Sequence, residues 1–107
     1  MTDSISRLHA AILDCRRNAP AGSRTAKLLN DGLPKMAKKL AEEAVEVSLD
    51  AVVGNRQAVI LESVDLIYNL TVLWTAMDVR PQDVWDEMDR RERLYGICEK
   101  LPKIIAD

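Results

Sequence analysis

Between residues 58 and 77 the chain reads AVILESVDLIYNLTVLWTAM, apolar on nearly every side of a helix. A helix of that kind is buried. The run is long enough to cross a bilayer. Glu62 and Asp65 stand inside it, however, and acids within a membrane are costly and rare. A core helix of a soluble bundle is the better reading. Glu62, Asp65 and Asn69 recur at i, i+3 and i+7, so they form one polar stripe along that helix. Buried acids need a partner, a metal or a proton. A second pair, Glu43 and Glu46, has the same i, i+3 spacing. Carboxylates so placed repel one another, and something positive belongs among them. Four acids from two helices are hard oxygen ligands, which suits Mg²⁺ or Mn²⁺.

The rest of the chain reads as helices broken by short turns. Asp3 or Ser4 caps a first helix that carries Ile5, Leu8, Ile12 and Cys15 at helical spacing. NAPAG (residues 18–22) ends it. Residues 23–30, with Arg24 and Lys27, form a short helical or irregular turn before the Asp31-Gly32 break. Pro34 suits the first turn of a long helix reaching about residue 53. Met36, Leu40, Ala44, Val47 and Ala51 make its apolar stripe, with Glu43 at the edge. Gly54-Asn55 stops that helix. The apolar helix ends near residue 77, and Pro81 starts another with Val84, Trp85 and Met88 inward. The segment after Gly96 has no assigned structure. No β-type alternation and no internal repeat occur. The expectation is an all-α, antiparallel four-helix bundle in a single domain, residues 1–107.

Composition narrows the function. The net charge of −2 gives no whole-protein pull toward nucleic acid or an anionic membrane, and aromatic–basic clusters that stack bases are lacking. MTDSISRLHAAIL at the start is not a signal peptide. Cys15 and Cys98 have no metal-type spacing and read as reduced thiols in a cytoplasmic protein. A 107-residue chain builds a modest core, and its apolar helix has more sides than one small bundle covers, so a homodimer is expected.

Each candidate residue has a plainer role to set beside the chemical one. Glu42, Glu43 and Glu46 could be solvated helix acids, with Lys38 and Lys39 pairing to Glu42 and Glu43 at i, i+4. For Glu62 and Asp65 that role needs a buried salt bridge from another part of the chain. Taken together the pairs favour a metal. His9 reads as a surface or packing residue, and the serines lack a base that would make a nucleophile. Trp74 and Trp85 read as core or interface. The basic run Lys35, Lys38, Lys39 is either a solvated face or a phosphate clamp beside the metal.

Three stretches are distinctive together: SRTAKLL (23–29), KKLAEEAVE (38–46) and ESVDLIYNLTVL (62–73). They resemble phosphoribosyl-ATP pyrophosphohydrolase, the second enzyme of histidine biosynthesis. That family belongs to the all-α nucleotide pyrophosphohydrolases related to MazG, marked by ExxE and a later ExxD. The resemblance implies a helical homodimer with Mg²⁺ held by Glu43, Glu46, Glu62 and Asp65. It implies a further acid, Glu42, as ligand or base. The implied reaction cleaves the α–β phosphate bond of phosphoribosyl-ATP to give phosphoribosyl-AMP and pyrophosphate. A carboxylate not fully engaged by metal, Glu42 or Glu46, would take a proton. Lys38, Lys39 and Arg24 would bind the polyphosphate. Two positions depart from the family pattern: Arg24 replaces a tyrosine, and Asn69 replaces a frequent histidine. They favour the alternative reading, a MazG-like housecleaning enzyme acting on nucleoside triphosphates. A third reading, from another class, is a catalytically silent helical dimerisation module.

Overall fold

The computed structural model describes residues 2–96, and these form five helices: α1 (Ser4–Asn18), α2 (Arg24–Asp31), α3 (Leu33–Val52), α4 (Arg56–Ala76) and α5 (Pro81–Tyr95). The class is all-α, as the sequence predicts. The count is five rather than four, because residues 24–31 make a true helix. Ser23 caps it, its hydroxyl accepting from the Ala26 N–H at 3.1 Å. Asp3 caps α1 by accepting from the Ser6 N–H at 2.8 Å, and Asn55 caps α4 by accepting from the Ala58 N–H at 3.1 Å. Gly32 joins α2 to α3 at φ 95°, a region that L side chains avoid, so the two helices can meet with no longer linker. The expected segment after Gly96, with Cys98, lies outside the described residues.

The α3 and α4 helices form a long antiparallel hairpin. Across one end of it lie α1 and α2, and α5 touches α1. The core sits at that covered end: Ile12, Leu28, Met36 and Val72 are buried, with Leu8, Leu29, Tyr68, Leu73 and Ala76 against them. Arg16 ties α1 to the C-terminus of α4. Its guanidinium donates to the Thr75 carbonyl at 2.7 Å and pairs with Asp78 at 3.3 Å, adding a charged donor to a C-terminal carbonyl that also accepts from the Asp78 N–H at 3.1 Å. Trp74 and Trp85 meet edge to face, with centroids 6.3 Å apart.

The expectation that the apolar helix is buried is not met within one chain. Only Asn69, Thr71, Val72 and Thr75 of α4 are buried. Leu61 and Val64 are 58% and 62% exposed, and Val45 and Leu49 on α3 are 56% and 62% exposed. The physical reason is geometric: no third helix of the described residues covers the turn end of the hairpin. Met88, expected inward, is also exposed, at 48%. The Cα radius of gyration is 16.0 Å. A compact domain of this length would have roughly 13 Å.

Candidate active site

In an antiparallel helix pair, residues equally far from the turn lie side by side. Gly54 is midway in sequence between Glu43 and Asp65, and also between Glu46 and Glu62. The α3–α4 hairpin therefore brings the two acid pairs face to face. One carboxylate oxygen from each of Glu43, Glu62 and Asp65 lies within 4.8 Å of the others. Glu43 and Glu62 are half-buried, whereas Asp65 is exposed. Glu46 is outside this tightest group but hydrogen-bonds to Glu62. That contact is the largest cause pushing the Glu62 carboxyl up to about 7, followed by burial, the charge of Glu46, a hydrogen bond with Glu43 and the charge of Asp65. Glu43 is raised as well, first by burial and then by the charge of Glu46.

No lysine or arginine of the described residues forms an ion pair with Glu43, Glu62 or Asp65. The buried salt bridge that would make these acids structural is thus not found among the described residues. Glu43 Oε2 is sealed from solvent and has no hydrogen-bond partner. Such an oxygen is expensive. A divalent cation would satisfy it and relieve the mutual repulsion at the same time, so the donor set fits the metal the sequence predicts.

A cleft of about 640 Å³ opens beside the acids, walled by Ile5 and Leu8 of α1, Arg24 and Leu28 of α2, Lys39 and Glu43 of α3, and Val64, Asp65, Tyr68 and Asn69 of α4. Its volume is typical of small-molecule sites. The Thr25 hydroxyl and the Tyr68 phenol are hydrogen-bonded at 2.6 Å, which fixes the start of α2 against α4. Asn69 donates its amide N–H to the Asp65 carbonyl at 2.9 Å, leaving its buried Oδ1 without a partner. The neighbouring lysines diverge. Lys39 lines the cleft, whereas Lys38 lies 4.0 Å from Glu42, both largely exposed and outside the cleft wall. The apolar wall from α1 and the Thr25–Tyr68 contact were not anticipated; Ile5 and Leu8, one turn apart on the α1 stripe, carried the signal.

The phosphoribosyl-ATP pyrophosphohydrolase profile matches residues 5–92. The chain belongs to this family. Its relatives agree. The chain is 65% identical to phosphoribosyl-ATP pyrophosphatase 2 of Rhodopseudomonas palustris, covering 96% of this chain and 79% of that protein. It is 61% identical to phosphoribosyl-ATP pyrophosphatase 2 of Bradyrhizobium diazoefficiens, over 96% of this chain and 77% of that one. It is 44% identical to phosphoribosyl-ATP pyrophosphatase of Roseobacter denitrificans, over 96% of this chain and 98% of its relative. Family membership favours the phosphoribosyl-ATP reading over both the housecleaning enzyme and the silent module. In this pyrophosphohydrolase fold Glu43, Asp65, Lys39 and Arg24 all line one cleft.

Proposed function

We propose that this chain hydrolyses phosphoribosyl-ATP to phosphoribosyl-AMP and pyrophosphate, the second step of histidine biosynthesis, with Mg²⁺ as cofactor. The observation that carries the metal reading is the stranded Glu43 oxygen within a three-acid group that no cation of the described residues neutralises. Glu43, Glu62 and Asp65 would hold the ion, with Glu46 beside Glu62 at the margin of the group. Bound there, Mg²⁺ or Mn²⁺ supplies charge neutralisation to phosphate oxygens and lowers the pKa of a water. The protein's own groups do the rest. Lys39 binds the polyphosphate from the cleft wall and stabilises charge as it builds. Glu46 accepts the proton of the attacking water, being the carboxylate at the margin of the group. Glu42, beside Lys38, is the alternative base. Glu46→Gln and Glu42→Gln separate the two, since only the base variant shifts the acid limb of the rate profile. The apolar walls from Ile5, Leu8 and Leu28 take the nucleoside.

A substrate panel tests the reading. Purified protein with Mg²⁺ releases pyrophosphate from phosphoribosyl-ATP, and a chelator stops it. Hydrolysis of common triphosphates with none of phosphoribosyl-ATP would instead support the housecleaning enzyme.

The working unit is a homodimer. Val45 and Leu49 of α3 and Leu61 and Val64 of α4 are each more than half exposed, an unpartnered apolar set of the kind that marks an association surface. A second copy of the same face is its simplest self-complementary cover. Sedimentation at micromolar concentration is expected to show a dimer, and Leu61→Asp a monomer. A parent monomer under those conditions contradicts the assignment. The same burial accounts for α4, which by length and composition alone is apolar enough to cross a membrane. We place the dimer in the cytoplasm, where Cys15 stays a thiol.

A further inference from the structure

We propose that Arg24 binds the second phosphate of the substrate, the monophosphate on the added ribose, and so distinguishes phosphoribosyl-ATP from ATP. This rests on the phosphoribosyl-ATP reading above. That substrate is anionic at both ends: a triphosphate on one ribose and a single phosphate on the other, with the base between. The acid group and its ion serve only the triphosphate end, where the bond breaks.

The cleft offers two cationic side chains, and they come from different helices. Lys39 is one turn before Glu43 on α3, so it shares a helical face with a metal ligand and attends the triphosphate. Arg24 is the first residue of α2 and lines the same cleft from that helix. Its place is fixed on both sides: Ser23 caps the helix, and Thr25 is held to Tyr68 at 2.6 Å. Arg24 forms no ion pair with a described residue and is exposed, so its charge is available to a ligand. A guanidinium matches a terminal phosphate with two parallel hydrogen bonds. ATP and the other common triphosphates carry nothing for it to grip.

The test compares the parent with Arg24→Gln and Arg24→Lys. The readout is kcat/KM for phosphoribosyl-ATP divided by kcat/KM for ATP. In Arg24→Gln this ratio is expected to fall about 10- to 100-fold, mostly through KM, as for loss of a charged hydrogen bond. Arg24→Lys recovers part of it. Inhibition constants give a second measure that needs no turnover of ATP. The parent binds phosphoribosyl-AMP more tightly than AMP, and Arg24→Gln removes that difference. Equal losses on both nucleotides would put Arg24 on the triphosphate and overturn the proposal; so would an unchanged ratio. A parent that releases no pyrophosphate from phosphoribosyl-ATP refutes the functional reading itself, and this inference with it. Because the parent is measured first, the two failures are told apart.

Discussion

Asp65→Asn is expected to abolish nearly all hydrolysis while leaving the metal-free protein as stable as the parent or slightly more so. The substitution keeps shape and removes one charge. With Glu43 and Glu62 within 4.8 Å and no cation of the described residues paired to them, that charge is repelled in the metal-free state. Its loss relieves the repulsion. In the parent, Mg²⁺ raises the melting temperature by mass action, because it binds the folded state alone. In Asp65→Asn that rise largely disappears. A structural ion pair predicts the reverse: the asparagine would strand a cation and cost about 3–5 kcal/mol. Thermal melts of both proteins, with and without Mg²⁺, separate the cases. A large loss of metal-free stability in the variant counts against the metal site.

The second large effect is on pH. In the folded, metal-free protein Glu62 sits at about 7, against an ordinary value of 4.5. A carboxyl raised by folding favours its protonated form in the native state. Its contribution to stability is therefore complete below about 4.5, and is lost as pH rises through about 7. Metal binding runs the other way, because the ligands must be deprotonated. The rise in melting temperature produced by Mg²⁺ should thus be small at pH 6 and large at pH 8. Glu62→Gln should flatten the metal-free pH dependence across that interval. Melts across pH check both, and an Mg²⁺ effect independent of pH would argue against Glu62 as a ligand.

Much of this site is legible in the sequence, and the limits have physical reasons. The i, i+3 spacing places each acid pair on one helical face, and Gly54-Asn55 supplies the turn that sets the pairs opposite each other. The equal distance of both pairs from Gly54 was available in the sequence as well, and it fixes the register: Glu43 beside Asp65, Glu46 beside Glu62. The lysines show a limit. Lys38 and Lys39 are neighbours in sequence, yet a helix turns about 100° per residue, so only one faces the cleft. Local pattern does not say which, because that depends on where α1 and α2 lie. The apolar run of α4 shows another. A helix apolar all round promises burial, but not whether the cover comes from its own chain. Here the covered end is built by Ile12, Leu28 and Met36, while Leu61 and Val64 stay open. The Thr25–Tyr68 contact joins parts of the chain far apart in sequence, and no spacing rule reaches it.

Glu43, Glu62 and Asp65 are proposed to form a divalent-cation site. Calorimetric titration of the purified, metal-free protein with Mg²⁺, repeated with Mn²⁺, tests it most directly. Saturable binding is expected at pH 8, weakening as pH falls through about 7 and lost in Asp65→Asn. Absence of binding by the parent at millimolar Mg²⁺ and Mn²⁺ would contradict it.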